Sequence, residues 1–270
     1  MIDKLPRISI ITVCYNASSS IEKTIKSVFA QNYPNLEYIF VDGNSSDNTL
    51  EIIKKYQKDE NLITSEKDTG PFDAMNKGIA KASGDLIGII NADDWYEESI
   101  FHSIAEAFLA NNQPDVISGN MQYWDGADRG KLSFAVLDRI TKEMSLNHPT
   151  IFVKKSTYLK HGLFDLQYKL ASDYELVLRF YSLGCKFFVL NKIVANMSLE
   201  GMSDRQWKTS LKEAFHIKLK YTSKPKAYME YAEVYSKETA VRQLKKYNLY
   251  GLYKRYKNFT GILSGKGKRF

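Results

Sequence analysis

Two adjacent carboxylates, Asp93 and Asp94, follow a run of apolar residues in the stretch IINADDW, residues 89–95. Neighbouring carboxylates repel each other and resist removal from water, so a buried strand that ends on them needs a compensating partner. Their hard oxygen atoms suit Mg²⁺ or Mn²⁺. Such a cation would offset the charge of a diphosphate and act as a Lewis acid when a bond to that diphosphate breaks. The pair therefore predicts metal-assisted chemistry on a diphosphate compound.

The segments that would position this pair alternate between strand and helix patterns. Runs rich in β-branched and aromatic residues predict strands at residues 7–16, 37–43, 61–68 and 85–94. Apolar residues recur between them with helical spacing at residues 21–29, 50–57 and 72–84. The alternation predicts an α/β fold with a mostly parallel central sheet flanked by helices. Further strands are expected at residues 115–124, 150–155 and 186–198, and further helices at 99–112 and 171–184.

Polar residues stand at the carboxyl end of each of the first four predicted strands. They are Tyr15, Asn16, Asp42, Asp68 and the Asp93–Asp94 pair. Any one of them could simply open a turn. Because ligands bind beyond the carboxyl ends of parallel strands, four such ends in succession favour a shared ligand-binding rim. We therefore predict that these residues, including Tyr15 and Asn16, bind the diphosphate compound.

Composition limits the classes of protein to be considered. Of 270 residues, 44% are hydrophobic and 26% charged, which is typical of a globular protein, and no apolar run approaches the roughly 18 residues of a membrane helix. The N-terminus lacks the apolar segment of a signal peptide, so we expect a cytoplasmic protein. Cys14 and Cys185 are expected to be reduced. Neither GxGxxG nor GxxxxGKS/T occurs, so the usual phosphate-binding loops are missing.

Several ordered stretches carry a resemblance to a known family. They are ISIITVCYN, EYIFVDGNSSDNT, SEKDTGPFDAMNKG, IINADD, NHPTIFVKK and ASDYELVLR. Their order and spacing resemble those of family 2 glycosyltransferases, which have the GT-A fold, and the resemblance spans about residues 7–203. The SEKDTGPFDAMNKG stretch is similar to the branch that builds bacterial surface polysaccharides and lipid-linked glycans. The resemblance implies that Asp42 and Asp68 contact the nucleotide base, that Asp93 contacts the ribose side, and that Asp94 binds the metal directly.

Asp173, in the stretch ASDYE, matches the catalytic base of the family, although the acidic residue that usually precedes it is Ser172 here. In an inverting transfer the base removes a proton from the acceptor hydroxyl, on the face opposite the leaving diphosphate. A structural explanation is also open, because Ser172 and Glu175 form a capping-box pattern. A helix N-terminus is expected to keep Asp173 ionised, which lowers its basicity.

Other motifs leave alternatives open. His148 in NHPT could complete the metal shell or contact the diphosphate, or it could be a structural histidine. The stretch EGMS, residues 200–203, resembles the Gly-Gly-x-Ser loop of the family, with Glu200 in place of a glycine, and could gate the site. The QxxRW motif of processive relatives is absent, since Gln206 and Trp207 are adjacent. This absence predicts the addition of a single sugar.

Charge divides the chain into two predicted domains. Residues 1–204 carry a net charge of −6 and are expected to bind the nucleotide sugar and catalyse transfer, whereas residues 205–270 carry +13 and form a basic helical C-terminal extension. Tyrosines alternate with lysines and arginines between residues 245 and 257. This pattern favours contact with an anionic membrane, or a packing or homodimer contact, over nucleic-acid binding.

Together these features predict a metal-dependent, inverting glycosyltransferase that transfers one sugar from a nucleotide diphosphate sugar, UDP-linked, to a glycan or lipid-linked acceptor in bacterial cell-surface polysaccharide synthesis. A peripheral position on the inner face of the cytoplasmic membrane would suit a lipid-linked acceptor. One alternative is a sugar-phosphate nucleotidyltransferase, which would release pyrophosphate. Another is a noncatalytic nucleic-acid binder that uses the basic extension. Pocket shape sets the donor sugar and the acceptor, which the sequence leaves open.

Overall fold

The structure is a computed structural model that describes residues 5–198, 206–247, 249 and 251. The strands are β1 Ile8–Cys14, β2 Leu36–Asp42, β3 Ile63–Ser65, β4 Leu86–Asn91, β5 Trp95–Tyr96, β6 Val116–Asp125, β7 Asp128–Ser133, β8 Phe152–Lys154 and β9 Phe187–Ser198. The helices are α1 Ile21–Phe29, α2 Thr49–Tyr56, α3 Pro71–Lys81, α4 Ile100–Ala110, α5 Lys155–His161, α6 Ser172–Ser182, α7 Trp207–Tyr221 and α8 Lys224–Lys246. A 3₁₀ helix covers His148–Thr150.

These strands form one mixed sheet in the order β3-β2-β1-β4-β8-β6-β9-β5, with β7 paired to β6. Strands β3, β2, β1 and β4 are mutually parallel, and so are β6 and β9. Strand β8 pairs antiparallel with both β4 and β6, while β5 and β7 add antiparallel edges. The predicted α/β fold with helices around a central sheet is confirmed, and most of the paired residues lie in parallel ladders.

The central strands are apolar because both of their faces are covered. All of β1 is buried, and so are nearly all residues of β2 and β4, as expected for parallel strands between layers of helices. Helix α1 turns Ile21, Ile25 and Val28 toward this core. The rings of Phe101 and Phe152 pack in the same core with their centroids 5.9 Å apart. The packed strands give the polar residues at their ends a fixed support.

The chain divides into two compact units, residues 1–217 and 218–270. Within the second unit, the buried Nζ of Lys218 donates to Oε2 of Glu230 at 2.9 Å. Helices α7 and α8 confirm a helical C-terminal region, whereas the functional boundary after residue 204 stays a prediction. Most of the tyrosine-rich run at residues 247–256 lies outside the described residues. None of the helices in the described part of the chain has both the length and the apolar character that a membrane span needs.

Candidate active site

Parallel pairing brings the carboxyl ends of four strands to one edge of the sheet. Cys14 at the end of β1 pairs with Asp42 at the end of β2, and Asp42 pairs in turn with Ser65 of β3. On the other side, Val13 of β1 pairs with Asn91, the last residue of β4. The polar residues that follow or end these strands therefore lie along a common rim: Tyr15, Asn16, Asp42, Asp68, Asp93 and Asp94.

Although they are adjacent in sequence, Asp93 and Asp94 have opposite environments. Asp93 is exposed, whereas Asp94 is only 1% exposed. The backbone N–H of Asp94 donates to the carbonyl of Asn91 at 3.2 Å, which closes a tight turn after β4. The hydroxyl of Thr24, in α1, donates to the carbonyl of Asp94 at 2.6 Å. These two hydrogen bonds fix a turn in which the carboxylate of Asp94 is buried and that of Asp93 is exposed.

The buried carboxylate of Asp94 is only partly satisfied. Its Oδ2 accepts a hydrogen bond from Nδ2 of Asn91 at 3.2 Å, whereas its buried Oδ1 accepts none from any described residue. Burial first, and then the charge of Asp93, raise the pKa of Asp94 well above its ordinary value. A buried oxygen without a partner is costly, and a divalent cation would remove that cost. The pair therefore fits the predicted Mg²⁺ or Mn²⁺ ion.

His148 does not join this pair. Among the residues that the structure describes, no three His, Cys, Asp or Glu side chains converge in a way that could hold a metal ion. A cation at Asp93 and Asp94 would therefore take its other ligands from phosphate oxygens or water, which is the usual situation for Mg²⁺. His148 instead lines a pocket with Asp173, and burial lowers the pKa of His148 to about 4. Its imidazole is therefore neutral at neutral pH.

Asp42 is fully buried and already has hydrogen-bond donors. Its carboxylate accepts from the backbone N–H of Ser45 at 3.0 Å, from the hydroxyl of Ser45, and from the hydroxyl of Ser65 at 2.6 Å. Contact between Asp42 and the nucleotide base stays a prediction. In the structure the hydrogen bonds of Asp42 clamp the loop after β2 to the end of β3 and so support the rim.

Beside this clamp, Tyr15 and Asp68 approach the backbone of Gly43. A Cβ atom on Gly43 would lie 2.6 Å from Oδ2 of Asp68 and 3.4 Å from Cδ2 of Tyr15, so a residue with a side chain would not fit without displacing them. The ring of Tyr15 is 65% exposed, and Oδ1 of Asp68 accepts from the backbone N–H of Gly70 at 2.9 Å. These three residues form a cradle that is open to solvent on the ring side.

Asn16 joins the loops that follow β1 and β2. Its Oδ1 accepts from the backbone N–H of Ser46 at 2.9 Å, and its own N–H donates to Oγ of Ser45 at 2.8 Å. Its φ of 48° is in the left-handed region, which asparagine tolerates better than most residues. Asp47 makes a second link by accepting from the N–H of Ser18 at 3.1 Å. The side chain of Asn16 thus shapes the rim.

Asp173 is the second residue of α6 and lines a small, mostly apolar pocket. The other residues of that lining are Ile89, Val116, His148, Ile151, Val153, Tyr158, Phe164, Leu176, Val177 and Phe180. Ile89 belongs to β4, the strand that leads to the Asp93–Asp94 turn. Burial raises the pKa of Asp173 to about 6, and the charge of Glu213 acts in the same direction. Asp173 is therefore a carboxylate at neutral pH with increased basicity.

One structural alternative and one expectation about Asp173 were wrong. Ser172 and Glu175 do not form a capping box: the hydroxyl of Ser172 donates to the carbonyl of Asp165 at 2.9 Å, and Glu175 accepts from Arg179. The helix N-terminus was also expected to lower the basicity of Asp173, whereas its pKa is raised. The backbone N–H of Tyr174 does lower it by donating to Asp173 at 2.8 Å, but desolvation is the larger effect.

The sequence profile described as "Glycosyl transferase family 2" matches residues 9–157, which is more than half of the chain. The chain belongs to this family. An uncharacterized glycosyltransferase of Mycobacterium tuberculosis is 29% identical over 74% of this chain and 78% of its own length. A PGL/p-HBAD biosynthesis glycosyltransferase of Mycobacterium bovis is 27% identical over 66% of this chain and 70% of its own length.

Solved structures confirm the GT-A fold of this glycosyltransferase. The S. aureus TarS fragment 1-349 in complex with UDP matches with a TM-score of 0.63 and 20% identity, over 84% of this chain and 70% of the fragment. In a longer TarS chain the match spans only 39% of the residues. The mannosyltransferase PcManGT from Pyrobaculum calidifontis, in complex with GDP-Man and Mn²⁺, matches with a TM-score of 0.61 and 17% identity, over 97% of this chain and 85% of its own.

Sequence reasoning missed some residues that shape the glycosyltransferase site. Gly43 stands in the quoted stretch VDGNSSDNT, and a glycine directly after a strand was a usable signal for a close approach. Thr24 and Glu213 gave no such signal, because the residues that they contact, Asp94 and residues 169–171, lie far away in the sequence. The EGMS stretch, residues 200–203, lies outside the described residues.

Proposed function

We propose that the protein is a metal-dependent, inverting glycosyltransferase that transfers a single sugar from a UDP-linked donor to a glycan or lipid-linked acceptor in bacterial cell-surface polysaccharide synthesis. The observation that carries the proposal is the buried Asp94, whose Oδ1 lacks a partner among the described residues, at the strand-end rim of a family 2 chain. Family membership also favours sugar transfer over the nucleotidyltransferase and nucleic-acid-binding alternatives.

The donor is proposed to bind along the rim. Its base would lie in the cradle of Tyr15, Gly43 and Asp68. There the exposed ring of Tyr15 can stack on the nucleobase, and the carboxylate of Asp68 can accept a hydrogen bond from it. Asp93 is exposed at the next strand end, where it can accept a hydrogen bond from the ribose hydroxyls. The match to TarS in complex with UDP supports a uridine donor.

Asp94, together with Asp93, is proposed to hold a divalent cation. When bound, Mg²⁺ or Mn²⁺ would stabilise the negative charge that develops on the departing diphosphate. The match to PcManGT in complex with Mn²⁺ supports the use of such an ion. His148 is left out of this ligand set because the structure does not group it with the two aspartates.

Asp173 is proposed as the general base. Above its pKa of about 6 the carboxylate accepts the proton of the acceptor hydroxyl while that oxygen attacks the anomeric carbon. The apolar lining of its pocket partly shields the carboxylate from water and raises its basicity. A single displacement on the face opposite the diphosphate inverts the configuration, as the resemblance to the family implies.

The acceptor is proposed to be a surface glycan or its lipid-linked precursor. The mycobacterial relative named for PGL/p-HBAD biosynthesis supports a role in making cell-envelope glycans. We propose further that the basic extension, residues 205–270 with a net charge of +13, lets the enzyme contact the anionic inner face of the cytoplasmic membrane, where such acceptors are presented.

One incubation series tests the proposal. The protein is incubated with Mn²⁺ and each member of a panel of nucleotide sugars, and released nucleoside diphosphate is measured; in parallel it receives UTP with sugar 1-phosphates, and pyrophosphate is measured. We expect UDP from at least one UDP-sugar and no pyrophosphate. Pyrophosphate release alone would instead identify a nucleotidyltransferase.

A further inference from the structure

A carboxylate from helix α7 holds the backbone segment that leads into Asp173. Oε1 of Glu213 accepts from the N–H of Lys169 at 3.0 Å, and Oε2 accepts from the N–H groups of Leu170 at 2.9 Å and Ala171 at 3.0 Å. Three consecutive N–H groups therefore share one side chain that lies more than 40 residues later in the sequence.

This contact fixes the start of α6. Hydrogen bonds to an ionised acceptor are shorter and stronger than neutral ones, so three together hold a backbone segment firmly. Ala171 is the residue just before α6, and Asp173 is two residues farther on. The segment is also tied at its other end, where Asn76 exchanges two hydrogen bonds of 3.0 Å with the backbone of Phe164. Together with the hydrogen bond from the hydroxyl of Ser172 to the carbonyl of Asp165, Glu213 holds the chain just before Asp173.

We infer that Glu213 is a positioning residue, which holds residues 169–171 so that the Asp173 carboxylate faces the acceptor hydroxyl. This inference rests on the proposed function, in which Asp173 is the base. Helix α7 would thereby contribute to catalysis without contacting either substrate. The nucleotide cradle of Tyr15, Gly43 and Asp68 stands on other elements, so donor binding does not depend on Glu213.

The test compares full-length Glu213→Ala and Glu213→Gln with the wild type. Lys212→Ala is the matched control, because Lys212 is an exposed neighbour on the same helix. Steady-state turnover is measured with the nucleotide sugar that the wild-type protein uses best in the panel above. Calorimetry with UDP reports the donor site, and hydrogen exchange reports the amides of residues 169–171.

Glu213→Ala is expected to lower kcat about 10²-fold, since a misplacement of about 1 Å can have that effect. Glu213→Gln keeps one acceptor oxygen and should lower kcat about tenfold, which is a partial rescue. The KM for the donor and the Kd for UDP should stay within about twofold in both, whereas the amides at 169–171 exchange faster. The control should match the wild type.

Three results would overturn the inference. The first is an unchanged kcat in both Glu213 variants. The second is a parallel loss of kcat and UDP affinity in Glu213→Gln, which would indicate a general structural role. The third is a wild-type protein that releases no nucleoside diphosphate from any donor; that result defeats the proposed function as well and is thereby distinguished from the other two.

Discussion

Asp173→Asn should nearly stop sugar transfer and, at neutral pH, make the protein more stable. Burial raises the pKa of the Asp173 carboxyl from 3.8 to about 6 in the folded protein. In the unfolded chain the same carboxyl ionises near pH 3.9. Folding therefore works against ionisation of this group. Asparagine has nearly the same shape and cannot ionise, and its side-chain oxygen can still accept from the N–H of Tyr174.

The sign and size of the stability effect follow from the two pKa values. Because the folded value is the higher one, the wild type loses stability as pH rises from about 4 to about 6. The difference in pKa corresponds to about 3 kcal/mol. Part of the Asp173 side chain reaches solvent, which weakens the effect, so we expect the variant to be more stable by about 1 to 3 kcal/mol at pH 8. At pH 4 the two proteins should have nearly equal stability.

Urea denaturation of both proteins at pH 4, 6 and 8 measures this difference. Glu106→Gln, which replaces an exposed carboxylate on α4, is the control and should show no such dependence on pH. In parallel, kcat should fall by about 10² to 10⁴-fold in Asp173→Asn while UDP affinity stays constant. The wild-type kcat should decline as pH falls below about 6. A wild-type rate in the variant, or a stability difference that is independent of pH, would refute the reasoning.

Three further substitutions probe the rim. Asp94→Ala should abolish turnover and Mn²⁺ binding by calorimetry while the circular dichroism spectrum is retained; full wild-type activity in EDTA would rule out the cation. Gly43→Ala should weaken UDP binding at least about tenfold with little change in Tm, because the new Cβ displaces the flexible carboxylate of Asp68, 2.6 Å away. Asp42→Ala should destabilise the protein by about 2 to 4 kcal/mol in urea, because Ser45 and Ser65 lose their buried acceptor; a loss below about 0.5 kcal/mol would contradict the clamp.

Local pattern was sufficient to predict the framework of the site. The apolar run of β1 and the polar residues after it predicted a strand and its functional end, since hydrophobic periodicity is a local property. The charged strand β7, with the sequence DRGKLS, was missed because its residues are mostly exposed and show no apolar alternation. The two-residue strand β5 exists only because Trp95 and Tyr96 pair with β9, about 100 residues away.

Long-range contacts decided the details that the sequence did not predict. Asp93 and Asp94 have identical side chains, and only the hydrogen bond from Thr24 and the turn after β4 distinguish the buried one. The clamping contacts of Asp42 depend on Ser65, on the next strand. Glu213 in α7 accepts from the N–H of Ala171, just before α6, although β9 lies between these two helices in the sequence. Such contacts depend on the tertiary structure, and no local pattern in a single sequence reveals them.

Helix α3 has a consequence for redesign of the enzyme. Gly70, just before this helix, donates to Asp68, and farther along it Phe72 stacks on Phe164 at 5.3 Å while Asn76 bonds the backbone of Phe164. Helix α3 thus links the proposed uridine cradle to the chain segment before Asp173, the proposed general base. A mutant library that seeks a new donor sugar should leave both α3 and the cradle of Tyr15, Gly43 and Asp68 untouched, because changes there would alter uridine binding and the rate of transfer together.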